Sequence, residues 1–358
     1  MQGGAQSVQS TNRASLRRDV RRFRQSSDVK AIGLSLLDTT LFVAAVVAVV
    51  MLPGTLAKAL ASLLVGLQIA RLFVLGHDAC HQALFTNRDA NRRIGRLLFL
   101  PSLTPYSTWE VGHNLGHHAY TNLRGKDYVW APLAKAEYDA LPRWRRALER
   151  CYRSGFGFGA YYLIELWWHK LFFANRAHIA TPRPEFVGDS LLALAFAVIW
   201  IGGLVGAAYA TGQSPASLVL FGFVVPFLVW GSLMGIVIYL HHTHPQLVWY
   251  DDIDQWEAAR DTQCNTVYVR IPLKLGRMVN NIMEHPAHHM DARIPLYCLE
   301  AANETLSVPG QIEMPLNLRS IVECVRRCKL YDYDARQWTD FDGQRTTLAP
   351  ILAPSISP

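Results

Sequence analysis

Eleven of the thirteen histidines fall into four tight groups along the chain. These groups are HDACH at 77–81, HNLGHH at 113–118, HHTHP at 241–245 and HPAHH at 285–289. Residues three or four positions apart share one face of an α-helix, so each group can direct two or three imidazoles to one point. Imidazole binds iron, zinc, copper and nickel, and one tetrahedral zinc ion needs only four ligands. The pattern predicts a histidine cage that holds two metal ions.

The remaining two histidines, His169 and His178, stand alone in the sequence. A lone histidine is more often a hydrogen-bonded surface or core residue than a metal ligand, and a single H-x3-H pair is also commonly incidental. Four groups of two or three histidines are different, because chance spacing does not produce them together. The grouped histidines are therefore the candidates for chemistry.

Composition places the chain in a membrane. Hydrophobic residues make up 51% of the 358 residues and charged residues only 18%, a balance typical of membrane proteins. No Asp, Glu, Lys or Arg occurs from Ser190 to Tyr250. Since a spanning helix needs about 20 apolar residues, this stretch predicts two spans, at 189–210 and 216–240, with the turn TGQSP between them.

The N-terminal half predicts another hairpin. Residues 32–52 form an apolar span with Asp38 near one end, PGT turns the chain, and residues 56–75 form the second span. Lys58 and Arg71 lie near the ends of the second span, where both cations are expected to snorkel to the membrane interfaces. The expected fold is an all-α membrane protein with four transmembrane helices in two hairpins and a cytoplasmic helical cap that carries the histidines.

Charge predicts the orientation. Residues 1–34 carry seven Lys or Arg against two Asp, and the two short turns between spans carry no charge. Because Lys and Arg accumulate on the cytoplasmic side, both termini are expected to be cytoplasmic. All four histidine groups then lie on the same cytoplasmic face. This agreement is independent support, because the orientation follows from the Lys and Arg residues alone. No signal peptide is expected, since the first apolar run starts late and lacks a small-residue cleavage site, and no disulfide is expected of cytoplasmic cysteines.

These boundaries predict six segments. They are a basic cytoplasmic segment at 1–34, a transmembrane hairpin at 35–75, cytoplasmic or interfacial helices with the first two histidine groups at 76–187, a second hairpin at 188–240, a cytoplasmic segment with the last two groups at 241–340, and a loose tail at 341–358. Within them, residues 1–11 are expected to be disordered and residues 12–31 to form a basic amphipathic helix on the membrane surface. The aromatic segment 161–173 is expected to be a lipid-surface anchor rather than part of a substrate site.

The histidine motifs resemble the integral-membrane fatty-acid desaturases, a family with three histidine boxes. HDACH matches the H-x3-H box, HNLGHH the H-x3-HH box and HPAHH the H-x2-HH box. HTHP at 242–245, followed by Tyr250 and Asp251, resembles the sequence after the fourth span in acyl-lipid desaturases of the ω6/Δ12 and ω3 groups. The resemblance extends from about residue 35 to residue 305.

The resemblance implies a centre of two non-haem iron ions that uses O2 as co-substrate to remove two hydrogens from adjacent methylenes of a fatty-acyl chain. The acyl chain is expected to be linked to a lipid or to a thioester. Breaking such C–H bonds demands an oxidant that redox-silent zinc cannot provide. The family's boxes imply that eight histidines bind iron: His77, His81, His113, His117, His118, His285, His288 and His289.

The resemblance also implies a ninth ligand from the end of span four. His242 is the first choice by alignment with the family and His244 the second, whereas relatives often have Gln where this chain has His241. The helix of span four is expected to continue for one more turn until Pro245 stops it, which would place His241 and His244 on the same side. Asp78 is expected to accept an N–H from a ligating ring and so to set its tautomer, although a helix cap is the simpler alternative. Asn114, Glu110 and Asp251 are weaker candidates for the same task.

Two other functions compete with desaturation as explanations of the histidine groups. Related histidine-box centres also hydroxylate acyl chains or decarboxylate them oxidatively to terminal alkenes, and the sequence leaves this alternative open. A metal transporter is disfavoured, because transporters place ligands within their spans near the midplane. The sequence contains no glycine-rich nucleotide fingerprint, so an external electron donor is expected. A small acidic ferredoxin suits the net charge of +7, and no nucleic-acid partner is expected.

Overall fold

The computed structural model describes residues 13–173, 183–260, 265–306, 308 and 310–348. The predicted disorder of residues 1–11, the tail after residue 348 and the lone His178 lie outside these ranges. The described chain is mostly helical. Its α-helices are α1 (Arg13–Val20), α2 (Asp28–Met51), α3 (Thr55–Cys80), α4 (Arg88–Phe99), α5 (Tyr106–Val111), α6 (Lys135–Ala140), α7 (Arg143–Tyr152), α8 (Phe158–Tyr161), α9 (Glu185–Ala210), α10 (Pro215–Val219), α11 (Val225–His242), α12 (Ile253–Arg260), α13 (His285–Met290), α14 (Leu296–Thr305) and α15 (Leu318–Arg327).

Other regular elements are short. The π-helical segments are Gly112–His117, Tyr162–Phe172 and Leu220–Val224, and the 3-10 turns are Arg21–Phe23, Leu100–Ser102 and Pro272–Val279. The strands are β1 (Val267–Arg270), β2 (Ile312–Pro315), β3 (Leu330–Asp332) and β4 (Gln337–Thr339). β1 pairs with β2 in parallel and β3 with β4 antiparallel. These two small sheets are absent from the all-α prediction, which is otherwise confirmed.

Four helices are long and apolar enough to cross a membrane: Asp28–Met51, Thr55–Cys80, Glu185–Ala210 and Pro215–His242. They confirm the four predicted spans. All four begin before the predicted first residue, and two of them also end later than predicted. Span two continues to Cys80, so His77 lies inside its last turn rather than beyond its end. Span four continues to His242 and includes His241.

α3 is the central span. In its most apolar window 61% of the residues are buried, against 22% in α2 and in α9, so α2 and α9 present most of their surface to lipid. α3 packs against both α2 and α11. A Cβ atom on Gly66 would lie 2.5 Å from Cβ of Val229, so this glycine allows α3 and α11 to approach closely, as small residues do between membrane helices.

The charged residues of the first hairpin are paired within the protein. The Arg71 guanidinium donates to Oδ1 of the fully buried Asp38 at 2.9 and 2.7 Å, and Asn280 Nδ2 donates to Asp38 Oδ2 at 2.9 Å. Lys58 is buried, and its Nζ donates to the carbonyl of Val49 at 2.7 Å. The snorkelling of both cations to the membrane interfaces stays a prediction. A buried charge without a partner is costly, and each partner here offsets that cost.

The N-terminal basic helix is shorter than predicted and lies on protein. α1 ends at Val20, and its buried Leu16 and Val20 face α13 and α14, its main packing partners. Arg24 Nε donates to Asp291 Oδ2 at 2.5 Å, directly after α13. The apolar face that was expected to enter the membrane surface instead covers the helix of the last histidine group.

The orientation remains a prediction that reporter fusions can check. A reporter fused after Gln213, in the turn between spans three and four, should be periplasmic or luminal. One fused after Lys126 should be cytoplasmic, because basic flanks stay on that side. Alkaline phosphatase and green fluorescent protein fusions measure the two sides. The same side for both fusions would contradict the four-span arrangement.

Candidate metal centre

The first histidine group lies at the C-terminal end of span two. His77 is in the last turn of α3, and His81 is the residue at which the helix ends. The amide of His81 donates to the carbonyl of His77 at 3.3 Å, so the pair keeps α-helical spacing. The Nε2 atoms of the two rings lie 3.2 Å apart. The end of one helix thus directs both imidazoles to one point.

The second group lies on a π-helical turn rather than on an α-helix. The amide of His118 donates to the carbonyl of His113, five residues earlier, at 2.9 Å. This wider turn aligns residues five apart. His113 and His118 therefore meet, with Nε2 atoms 3.1 Å apart. His117 contributes to a different group, so the expectation that His113 and His117 converge through their i, i+4 spacing is wrong.

Glycines allow the π-helical turn to pack against its neighbour. A Cβ atom on Gly116 would lie 2.9 Å from Cε1 of Tyr128, and one on Gly112 would overlap the Tyr128 hydroxyl. Only residues without a side chain fit this close approach. The glycines before and between the histidines thus belong to the device that positions them.

The third group lies on α13, whose first turn contains Pro286, a residue favoured at helix starts. His285 and His289 are four apart and face the ring of His242, with ring centroids 5.1 and 5.2 Å from it. His288 faces the first histidine group, and its ring centroid lies 4.7 Å from that of His77. One short helix therefore supplies side chains to two different points.

The structure brings together all nine histidines predicted as ligands, in two groups. Within each group the candidate ligand nitrogens lie within 4.8 Å of one another. The five-histidine group is formed by His77, His81, His113, His118 and His288. The four-histidine group is formed by His117, His242, His285 and His289. The groups adjoin, since the rings of His118 and His289 stack with centroids 4.3 Å apart.

The environment keeps the rings neutral. Eight of the nine side chains are buried, and His118 is partly exposed. Burial, reinforced by neighbouring imidazoles, lowers the pKa of the rings outside the membrane spans, which are His81, His113, His118, His285, His288 and His289. A neutral imidazole offers a lone pair to a metal ion.

Unpaired ring nitrogens provide a test of whether this donor set fits a metal. Within the described residues, both ring nitrogens of His288 lack a hydrogen-bond partner. The Nε2 atoms of His77 and His113 face each other at 2.8 Å, and those of His242 and His285 at 3.1 Å. Buried polar atoms without partners are costly, whereas a cation would accept several lone pairs at once. The residues present therefore fit two metal ions.

Asp127 is a functional candidate that the sequence analysis missed. Its Oδ1 accepts a hydrogen bond from Nδ1 of His117 at 2.9 Å, and both residues are buried. Its oxygens also accept the backbone amides of Asn122 and Val129 at 2.9 and 3.1 Å, which hold the carboxylate in place. A carboxylate so placed fixes the ring tautomer, leaving Nε2 as the ligand atom. Asp127 lies in a loop ten residues after His117, and no pattern in the sequence indicates this contact.

The residues predicted to fix the tautomer of a ligating ring make other contacts. Asp78 Oδ2 accepts a hydrogen bond from the amide of Leu296 at 2.7 Å. This hydrogen bond joins α3 to the start of α14 and does not involve a histidine ring. Asn114 lies beside His81 and donates to the carbonyl of Cys80 at 3.0 Å. Asp251 lies 4.0 Å from the Arg124 guanidinium. Glu110 is half-buried, which raises its carboxyl pKa.

We expect Asp127→Asn to weaken metal binding about 10- to 100-fold, the usual cost of losing such a partner. The amide keeps the size of the side chain but loses its charge, so His117 is held less firmly. Metal content after dialysis against graded chelator measures the change. Asp251→Asn is the matched control and should bind metal like the parent. Equal metal retention by the parent and Asp127→Asn would contradict this role.

The HHTHP segment separates its three histidines. α11 ends at His242, and Thr243 is extended with φ −138° and ψ 112°, so His244 has left the helix. His242 belongs to the four-histidine group. His241 Nδ1 donates to the carbonyl of Val267 at 2.8 Å and its ring stacks on His285, but it is in neither group. The expected extra turn up to Pro245, which would have aligned His241 with His244, does not form.

A small apolar cavity adjoins both histidine groups. It is lined by His77 and His113 of one group and by His117, His242 and His285 of the other. Its remaining walls come from α3, α5, the loop at 128–129, the second π-helical segment, α11 and Ile282. These wall residues are Phe73, Val74, Trp109, Tyr128, Val129, Tyr162, Leu166, Leu171, Met234, Val237, Ile238 and Ile282. Trp109 also stacks on the His113 ring at 4.8 Å and helps to orient it.

The aromatic segment at 161–173 contributes to this cavity, which its predicted role did not include. Tyr162, Leu166 and Leu171 are buried and line the cavity. Trp168 and Phe173 are 46% and 55% exposed, so the opposite side keeps the surface expected of a lipid anchor. The prediction that the segment is only an anchor is therefore wrong. Its side chains face two ways because successive residues of a helical segment point in different directions around its axis.

Four apolar helices, two groups of mostly buried histidines and an apolar cavity lined by members of both groups are the features expected of a membrane enzyme with a histidine-bound metal centre. A family model described as fatty acid desaturase matches residues 53–308 of the chain. The chain belongs to the fatty acid desaturase family. The predicted membership and the predicted oxidoreductase class are thereby confirmed, and the hydroxylase and decarboxylase alternatives are not favoured.

Curated relatives agree with this membership. The chain is 28% identical over 318 residues to the chloroplastic omega-6 fatty acid desaturase of Spinacia oleracea, covering 86% of this chain and 67% of the relative. It is 30% identical over 294 residues to the chloroplastic omega-6 fatty acid desaturase of Arabidopsis thaliana, covering 78% and 59%. It is 27% identical over 276 residues to the sn-1 oleoyl-lipid 12-desaturase of a Picosynechococcus species, covering 75% of each. The chain spans between 52% and 67% of the length of the four chloroplastic relatives.

Proposed function

We propose that this chain is an acyl-lipid desaturase that introduces a double bond into a fatty-acyl chain at a centre of two iron ions, with O2 as co-substrate. One observation carries the proposal. The apolar cavity is lined by histidines of both groups, so an alkyl chain inside it would lie against both metal positions. A cavity that held a polar substrate would need converging polar groups besides the histidines.

The nine grouped histidines are the proposed iron ligands, and iron is proposed because the target methylenes are unactivated. When bound, the metal pair supplies O2 activation, which zinc cannot. The residues around it orient the ligands. Asp127 holds His117, and Thr121 Oγ1 lies 3.2 Å from Nδ1 of His289. Trp109, stacked on His113, excludes water from the side of the cavity.

The cavity walls are proposed to select which carbons react. Phe73 and Val74 of α3 lie within one turn of His77, and Val237 and Ile238 of α11 lie within about one turn of His242. Rigid side chains this close to the ligands position adjacent methylenes at the metals, and positional accuracy decides between removal of a second hydrogen and oxygen insertion. The relatives named as omega-6 and oleoyl-lipid 12-desaturases favour the Δ12 bond of a lipid-linked oleoyl chain as the substrate position.

Electron balance requires a second protein. Removal of two hydrogens from the acyl chain yields two electrons, while reduction of O2 to two waters consumes four electrons and four protons. Two electrons and two protons per double bond therefore come from outside. We propose a small acidic ferredoxin as the donor, delivered to a cytoplasmic active site that both cytoplasmic termini flank.

The test is expression of the chain in a host that makes oleoyl lipids but no polyunsaturated ones. Mass spectrometry of the extracted lipids, with double-bond localisation, should show a new diene. His169→Ala is the matched control for any histidine variant, since His169 is a lone, exposed side chain outside both groups. Hydroxylated chains or terminal alkenes in place of dienes would overturn the desaturase proposal, and active protein with stoichiometric zinc would overturn the iron centre.

A further inference from the structure

His118 differs from the other cage histidines because its side chain is partly exposed, whereas the other eight are buried. It also contacts both groups. Its Nε2 lies 3.1 Å from that of His113, and its ring stacks on His289 with centroids 4.3 Å apart. Electron transfer slows steeply with distance. Of the nine grouped histidines, His118 is therefore the one most accessible to an electron carrier at the protein surface.

The surface beside His118 has an apolar centre. Leu115, three residues earlier on the same π-helical segment, is 60% exposed. Ala119 and Tyr120 follow His118 and are partly exposed. Complexes between electron-transfer proteins bury small areas, and the middle of an interface is apolar with a polar rim. Leu115, exposed near the partly exposed His118, provides such an apolar centre.

Helix α1 supplies a basic rim beside this centre. Arg13 Nη2 donates to the carbonyl of His289 at 3.0 Å, so the helix begins at the residue whose ring stacks on His118. Its exposed basic residues, including the turn that follows it, are Arg17, Arg18, Arg21 and Arg22. In that described stretch Asp19 is the single acidic residue. The main packing partners of α1 are α13 and α14, so α1 lies against the helix that carries His285, His288 and His289.

We propose that this surface, formed by His118, Leu115 and the exposed arginines of α1 and its following turn, docks a small acidic one-electron carrier protein. The inference rests on the proposed function, because it names where the two external electrons per double bond arrive. Each carrier gives up one electron at a time and is oxidised, and the metal pair is reduced. Charge complementarity favours an acidic protein, and the apolar centre favours a protein over a lipid headgroup.

The test uses the full-length protein purified in detergent and an acidic plant-type [2Fe–2S] ferredoxin as the probe. Arg17→Glu/Arg18→Glu should raise the ferredoxin KM and the directly measured Kd about tenfold at low ionic strength, with the difference shrinking as salt is added. Leu115→Glu, on a different element, should weaken binding in the same direction. Reduction of the iron by dithionite and the iron content should stay at the parent level in Arg17→Glu/Arg18→Glu.

Arg143→Glu/Arg146→Glu is the matched control, because it reverses two arginines of α7, outside the proposed surface. It should leave the ferredoxin Kd unchanged. An unchanged Kd in Arg17→Glu/Arg18→Glu, or an equal increase in both double variants, would overturn the docking surface. An effect seen only in anionic bilayers and absent in detergent would assign the arginines to lipid and overturn it too. If the parent forms no acyl product with either reductant, the proposed function fails instead.

Discussion

His117→Ala is expected to lower the iron content from about two ions per chain to one or fewer and to abolish desaturation. His117 belongs to the smaller group, whose three remaining members would be His242, His285 and His289. It is also the ring that Asp127 holds in place. The loss therefore removes both a ligand and the best-anchored member of its group. Iron quantified by mass spectrometry, beside lipid analysis of the expressing host, measures both effects.

Membrane insertion provides the control for folding. His117→Ala should still fractionate with the membrane, because the four spans do not depend on this side chain. His169→Ala should keep about two irons and the parent activity. An iron-replete, active His117→Ala protein would show that this histidine is not a ligand.

The second large effect is expected from His242→Ala, whose iron content and activity should both be lost. The Nε2 atom of His242 lies 3.1 Å from that of His285, and its ring packs edge-on against His117 at 4.5 Å. Its removal therefore disturbs two other ligands of the four-histidine group. The same two measurements apply, iron content and acyl product.

The neighbouring histidines supply matched controls for His242. His241→Gln should keep iron and activity, because His241 bonds to the carbonyl of Val267 and is outside both groups. His244→Ala should also keep iron. Its ring follows the end of α11 and bonds to the amide of Gln246 at 3.2 Å. An active, iron-replete His242→Ala together with an inactive His241→Gln would place the ligand on the other side of the helix.

Local patterns were sufficient to predict the spans and the ligand candidates. An uncharged run such as 190–250 has only one stable environment, so the span count needs no tertiary information. Histidines repeated at short spacing are equally local, and the nine that the family resemblance selects from the eleven grouped histidines are the nine that the structure groups. Helix geometry alone did not distinguish His242 from His241, because α11 ends at His242, two residues before the end expected from the sequence.

The partners of charged residues were not predicted where they are distant in sequence. Asp38, Arg71 and Asn280 come from three separate segments, and only packing shows that Arg71 and Asn280 both donate to the buried Asp38 carboxylate. Asp127 lies close to His117 in sequence, yet a loop residue has no period that would indicate which way its side chain points. Burial of each charge is stable because of these partners, and the partners are a property of the fold.

The sequence by itself predicted four helices long and apolar enough to cross a membrane and histidines enough for two metal ions, because apolar length and ligand spacing are local properties. The tertiary structure decided how the histidines divide. A π-helical turn, allowed by glycines that pack against Tyr128, sends His113 and His117 to different groups. It also decided that one cavity is lined by members of both groups, since its walls come from helices far apart in the chain. Such contacts depend on packing between distant segments, which no local pattern encodes.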